Sequence, residues 1–243
     1  MPAAILDALA SVVYPQSCHV CGISVDKLSD GIACTGCWTR TRLFSDLSPV
    51  CPKCGTCCGR SDLSSGHCVE CRDLSFDAAA AAGVYEHALS ATVRNLKRFP
   101  HLPARLKRSI CDTSEHFRSA TVVIPVPLAR QRLIERGFNQ AHVIAQVVGG
   151  HLGLPIDDGS LKRSRHTAIH RVSMDATARR QSVRNAFSVS RHKLIENQRV
   201  LLVDDVMTSG STGSACADVL KANGAAWVGV LTLARAIRYN GPA

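Results

Sequence analysis

Val200-Leu201-Leu202-Val203-Asp204-Asp205-Val206-Met207-Thr208-Ser209-Gly210-Ser211-Thr212 decides the fold. Its four leading apolar residues, too few for a helix and rich in Val and Leu, read as a strand buried on both faces. Two adjacent carboxylates end that strand, and hydroxyls and a glycine follow. A helical pattern then covers 214–223, Gly224 supplies a C-cap, and 228–233 reads as the next strand. Strand, loop, helix, strand is one βαβ unit of a parallel sheet.

Ligands of open α/β sheets gather at strand carboxyl ends, beside helix N-termini. Thr208, Ser209, Gly210, Ser211 and Thr212 offer backbone N–H groups, hydroxyl donors and a positive dipole end, which together suit a phosphate monoester. The lysine of GxxxxGK[ST] is absent, so this is not a Walker loop. Asp204 and Asp205 would repel a phosphate and need another task, namely accepting hydrogen bonds from sugar hydroxyls. Phosphate plus vicinal diol describes a ribose 5-phosphate. An ordinary buried strand with a polar turn explains the hydrophobicity but not the acid pair and the hydroxyl run together.

Outward from that stretch, the charge is uneven. The chain of 243 residues carries a formal net charge of +10, and residues 94–199 hold 20 Lys plus Arg against 7 Asp plus Glu. An anionic substrate or nucleic acid is expected to approach there. No run of about 18 apolar residues occurs, which argues against a membrane span. The first 13 residues place Ile5, Leu6, Leu9, Val12 and Val13 at helical spacing without a basic leader or an Ala-x-Ala site. They read as a short amphipathic helix, not a signal peptide, and the expected compartment is the cytoplasm.

Ten of the twelve cysteines precede Arg72. Cys18-x2-Cys21 and Cys34-x2-Cys37 are separated by 12 residues, Cys51-x2-Cys54 and Cys68-x2-Cys71 by 13. Each half therefore reads as a zinc ribbon with four soft ligands. Disulfides would need an exported protein, and a redox CxxC usually stands alone at a helix start. Cys57, Cys58, His19 and His67 are possible substitute ligands, read as bystanders. Gly22, Gly36 and Gly55 sit where knuckle turns need positive φ. Some 70 residues with few large apolar side chains cannot build much core, so metal is expected to supply folding free energy. Contact between ribbons and nucleic acid stays open.

The division falls near 75: residues 1–75 form the helix and double ribbon, and 76–243 the body. Residues 76–85 read as an alanine-filled strand, although a helix remains possible. Leu89, Val93, Leu96 and Phe99 mark an amphipathic helix whose basic side carries Arg94, Lys97 and Arg98. That side is either a solvated face or one from which Lys97 reaches the mouth of the site. The strand 121–127 leads into Arg130, Arg132, Arg136, Gly137, Phe138, Asn139 and Gln140, ahead of a helix through Leu152. Arginines beside a helix N-terminus suit a pyrophosphate, and the bland alternative is a charged surface turn. A strand is expected over 154–161, a polar loop over 162–173, a basic helix to Phe187, and a hairpin-like approach over 188–199. Cys111 and Cys216 read as buried small apolar residues, and Arg235 with Arg238 as a basic tail.

The acid-pair segment resembles the 5-phosphoribosyl-1-pyrophosphate (PRPP) signature of type I phosphoribosyltransferases. The whole chain, cysteine-rich head included, is similar to the ComF family, in which Arg-Gly-Phe-Asn-Gln recurs. The resemblance implies an α/β fold, a type I phosphoribosyltransferase-like parallel sheet flanked by helices and preceded by the ribbons. It implies that Asp204 and Asp205 hold the ribose 2′- and 3′-hydroxyls, that 208–212 hold the 5′-phosphate, and that Arg130, Arg132 and Arg136 face the pyrophosphate. Displacement of pyrophosphate from PRPP with Mg²⁺, toward an unidentified acceptor, is the expected reaction. The alternative is a non-catalytic PRPP- or nucleotide-binding adaptor for single-stranded DNA, and either way DNA uptake and natural transformation are implied. Within the loop the family pattern Thr-x-x-Gln, Leu-Ser, Glu-Arg is broken by His170, Val172 and Ala178. No glutaminase nucleophile is present to support amidotransferase chemistry.

Overall fold

The computed structural model describes residues 15–44, 51, 53–56, 68, 71–163 and 186–237. The expected N-terminal helix, Cys57, Cys58, His67, the loop through His170, Val172 and Ala178, and Arg238 lie outside them. The chain runs α1 (Thr35–Thr39), β1 (Ala78–Val84), α2 (His87–Leu96), α3 (Ala104–Ser114), β2 (Val122–Pro125), α4 (Arg130–Arg136) and α5 (Gln140–Leu152). It continues through β3 (Leu161–Arg163), β4 (Phe187–Val189), β5 (Arg199–Met207), α6 (Ser211–Ala222) and β6 (Trp227–Arg235).

Four strands make one parallel sheet in the order β1-β6-β5-β2, so β5 and β6, joined through α6, lie at its centre. Alternate side chains leave opposite faces. Leu201, Val203, Leu231 and Leu233 share a core with Leu89, Ile110 and Ile144 of α2, α3 and α5. Val200, Leu202, Val228 and Val230 share the other with Cys216 and Leu220 of α6 and with the small β3–β4 sheet. Both faces are covered, which is why β5 reads as an unbroken apolar run. Among the described residues no helix is long and apolar enough to cross a membrane.

Several expectations need correction. β5 does not stop at the acids: it stays paired with β6 as far as Met207, opposite Arg235. The region 154–161 is loop apart from the bridge Val123–Ile156 and the start of β3, because the Asp157 carboxylate takes the N–H groups of Gly159 and Ser160 into a turn. The 188–199 segment is no hairpin: β4 pairs back to β3 and a 3-10 turn follows at His192–Leu194. Phe99 leaves the α2 stripe and is 60% exposed, since α2 ends at Leu96 ahead of Pro100. Gly36 sits inside α1, while Gly22 and Gly55 do take positive φ. Cys216 is buried, but Cys111 only partly.

The cysteine head is packed into the body. Buried Asp30 accepts from Arg105 Nε of α3 at 2.7 Å, its carbonyl accepts from Trp38 Nε1 at 2.9 Å, and the Arg105 guanidinium lies over the Trp38 ring. Arg42 holds Glu86 by both Nε and Nη2, and Leu43 bridges to Gly83 at the edge of β1. The alanines of β1 make it a strand through such close approaches, overriding their helix preference. Gly55, at φ +64°, lies so near β1 that a Cβ there would fall 2.7 Å from the Ala79 carbonyl oxygen. Gly55→Ala is therefore expected to destabilise the protein by about 1–3 kcal/mol, read as a lowered urea midpoint; an unchanged midpoint would contradict this packing.

Candidate functional site

At the carboxyl end of β5 the two acids have different surroundings. Asp205 is 7% exposed, and Lys97, just past α2, brings its Nζ within 3.3 Å of Asp205 Oδ2. Gln140 Nε2 donates to the same oxygen at 3.4 Å, and its own Oε1 accepts from Arg136 Nη1 at 2.9 Å. Of the two readings of the α2 basic side, the one in which Lys97 reaches the site is the one the geometry realises.

Arg-Gly-Phe-Asn-Gln acquires a residue-by-residue account. Arg136 ends α4, Gly137 caps it at φ +76°, and Asn139 caps α5 by accepting from the Ala141 N–H. The Asn139 amide also donates to the Val126 carbonyl, fixing the segment to the end of β2. Gln140 then points at the acid pair. The arginines expected just ahead of a helix instead form a helix of their own: Arg130 and Arg132 are exposed on α4, and only Arg136 is linked to the acids, through Gln140.

Asp204 meets the hydroxyl loop. With Thr208, Gly210, Ser211, Thr212 and Thr232 it lines a cavity of about 30 Å³. Its Oδ1 accepts from the Asp205 N–H at 2.8 Å. Burial first, and the Asp205 charge second, push the Asp204 carboxyl well above its usual range, even though its rim stays accessible. Ser209 and Ser211 share a hydrogen bond between their hydroxyls at 2.8 Å, and Gly210 turns the chain at φ +75° into the first turn of α6. The first N–H groups of that helix have no partner within the helix and face the loop's anion-attracting end. A larger cavity of about 860 Å³ lies between the head, β1 and α3, away from both acids. Chemistry, not volume, selects the strand end.

The eight CxxC cysteines form two compact sets. Sulfur–sulfur distances are 3.8 Å for Cys18–Cys37, 3.7 Å for Cys21–Cys34, 3.6 Å for Cys51–Cys71 and 3.5 Å for Cys54–Cys68. A tetrahedral metal with sulfur at about 2.3 Å separates its ligands by about 3.8 Å, so both sets fit one. Burial opposes ionisation of Cys18, yet the Cys34, Cys21 and Val20 N–H groups bring that thiol down to about 6. Burial likewise opposes ionisation of Cys51, and the Cys68, Cys54 and Lys53 N–H groups bring it to about 7. Burial pushes Cys37 and Cys71 up to about 12. Each set thus has one sulfur readied as thiolate, the form that ligates. His19 is exposed, outside the first set.

Arg235 is not part of a basic tail: it closes β6, is buried, and donates from Nη1 to the Cys54 carbonyl. Its place at the end of an apolar strand was the available signal. Gln140, quoted within its motif, carried no assigned role until the fold set it beside Asp205.

The family profile described as phosphoribosyl transferase domain matches residues 135–242. Competence protein F of Haemophilus influenzae is 32% identical over 84% of this chain and 90% of its own length. DNA utilization protein YhgH of Escherichia coli K12 is 29% identical over 93% of this chain and 100% of its own. Among solved structures, the glutamine PRPP amidotransferase from B. subtilis complexed with ADP and GMP is 22% identical, covering 60% of this chain and 26% of that one, with a TM-score of 0.37.

The raised Asp204 value has a stability consequence. The folded chain holds this proton more tightly than the unfolded one, so stability from it is complete below the ordinary value of 3.8 and is lost as pH rises through the folded value. Asp204→Asn is expected to melt above the parent at pH 7, with the gain fading as pH falls toward 4. A melting difference that does not depend on pH would contradict it.

Proposed function

Because this chain belongs to the ComF family, we propose that it binds PRPP at the carboxyl end of β5 and transfers its phosphoribosyl group, with release of pyrophosphate. The observation that carries the reading is the meeting of Asp204 with the 208–213 loop around one small cavity, with Asp205 adjoining. Asp204 and Asp205 take the ribose hydroxyls, and Thr208, Ser209, Gly210, Ser211 and Thr212 the 5′-phosphate. The upward shift of the Asp204 carboxyl lessens the repulsion that two full carboxylates would exert on that phosphate. Lys97 and Gln140 keep Asp205 oriented as an acceptor. Arg136, with Arg130 and Arg132 from α4, supplies cationic donors for the leaving pyrophosphate. Catalysis in this account is positioning plus charge stabilisation. Magnesium, which prefers substrate oxygens and water to a protein cage, would come with the diphosphate and would supply neutralisation of its charge.

In the same reading residues 1–75 are the metal-bearing head and 76–243 the ligand-binding body. Zinc is the metal that a set of four cysteine sulfurs at these distances suits, one ion in each. The names of the relatives, competence and DNA utilization, support a role in DNA uptake.

A second reading is favoured by the surface: a PRPP- or nucleotide-binding adaptor that handles single-stranded DNA. Exposed Phe99 stands beside exposed Arg98, directly after the Lys97 that reaches Asp205, and residues 94–199 are strongly basic. An aromatic face among cations is what stacks a single-stranded base.

Two measurements test the proposal. Anaerobically purified protein is expected to carry about two zinc ions per chain; none would overturn the metal assignment. Calorimetric titration with PRPP and Mg²⁺ is expected to show binding that the double variant Asp204→Asn, Asp205→Asn abolishes while its melting curve stays cooperative. Unchanged affinity would remove the acids from the site. Pyrophosphate release with any base or amine favours transfer, whereas steeply salt-dependent oligonucleotide binding without turnover favours the adaptor.

A further inference from the structure

Arg235 is 3% exposed, and a buried guanidinium requires a charge partner. Its Nη1 donates to the Cys54 carbonyl at 2.8 Å, its Nη2 lies 3.7 Å from Cys54 Sγ, and its Nε has no hydrogen-bond partner among the described residues. A carbonyl and a neutral thiol do not balance that charge. Four thiolates around a divalent ion, with a net charge of about −2, do. The anion that accounts for Arg235 is therefore the second cysteine set in its metal-bound form. Arg235 also pairs in register with Met207, two residues beyond Asp205, so the charge is answered from the end of the sheet that carries the acids.

A separate connection runs along the chain that leaves Cys71. Leu74 N–H donates to the Cys71 carbonyl at 3.1 Å. Ser75 N–H donates to Ser214 Oγ at 3.0 Å, in the first turn of α6. The Leu74 and Phe76 side chains occupy the space beside Gly210, where a Cβ would come within 2.9 and 3.4 Å of them. The backbone of the hydroxyl loop thus rests on residues 74–76. The first set, by contrast, shares its core with α2 and α3 on the other face of the sheet.

We propose that the second cysteine set positions the 208–213 loop, with Arg235 and residues 71–76 as the coupling. Metal held by Cys51, Cys54, Cys68 and Cys71 then sets the loop's order and its affinity for a ribose phosphate, and metal at the first set does not. Only the ligand in this statement rests on the PRPP reading; the positioning can be measured without it. Arg235 is a positioning residue, remote from any reacting atom.

The test uses the full-length, metal-loaded chain with Arg235→Gln, Arg235→Lys and Cys34→Ser. The readings are chelator-driven metal release, amide hydrogen exchange at 208–213, and PRPP affinity with Mg²⁺. Arg235→Gln is expected to speed release of one of the two metal equivalents about tenfold, and to raise exchange at 208–213 and weaken PRPP binding by a similar factor. Arg235→Lys, which keeps the charge, recovers part of each. Cys34→Ser leaves exchange at 208–213 at the parent rate. Unchanged loop exchange in Arg235→Gln, or an equal rise in Cys34→Ser, overturns the proposal. Should Arg235→Gln fail to fold, chelation of Cys34→Ser, which retains metal at the second set alone, gives the same decision: loop exchange rises on metal loss or the coupling is wrong. Coupled exchange in a parent chain that does not bind PRPP supports the positioning and overturns the ribose-phosphate reading.

Discussion

Two carboxylates stand next to each other near the carboxyl end of β5, a central strand of the sheet, and the surrounding chain is arranged to make that tolerable. Like charges this close cannot both be desolvated at full charge. The chain answers with asymmetry. Asp205 is given a cation, Lys97, and an amide, Gln140; Asp204 is left near the small cavity with its carboxyl pushed up. Perturbed acids of this kind concentrate at functional sites, which supports the proposal made for this strand end.

Much of this was legible before any coordinates, and for definite reasons. The apolar run ending in Asp204 and Asp205, the hydroxyl loop and the following helix are contiguous, so their order alone specifies strand, turn and helix. The CxxC pairs are equally local. What escaped depends on contacts distant in sequence. The sequence offers Lys97 either a solvated face or the mouth of the site, and the choice rests on its contact with Asp205, which no periodicity connects to it. Arg235 resembles part of a basic tail in sequence because its partner, the Cys54 carbonyl, is brought to it from a distant part of the chain. The 154–161 segment has strand-like residues, but Asp157 folds them into a turn. Phe99 matched the helical stripe by spacing alone, and Pro100 ended the helix before it could join.

The head and the body are bound by specific polar contacts rather than by a loose linker. Asp30 with Arg105 fastens the first cysteine set to α3, and Arg235 fastens the second to β6. In each contact one ion is buried, Asp30 of the head in the first and Arg235 of the body in the second, and loss of its partner would leave that charge unanswered. The cysteine sets are therefore packed parts of the fold, the first against α2 and α3 and the second against the face that carries α6.

The claim on which everything rests is that the β5 strand end clasps a sugar phosphate by two different kinds of group at once. A crystal soaked with ribose 5-phosphate measures this directly. The account predicts the phosphate seated on the backbone N–H groups and hydroxyls of 208–212, with ring hydroxyls hydrogen-bonded to the Asp204 and Asp205 carboxyls. Ligand density elsewhere, or a sugar bound at the loop with both acids turned away from it, would contradict the account.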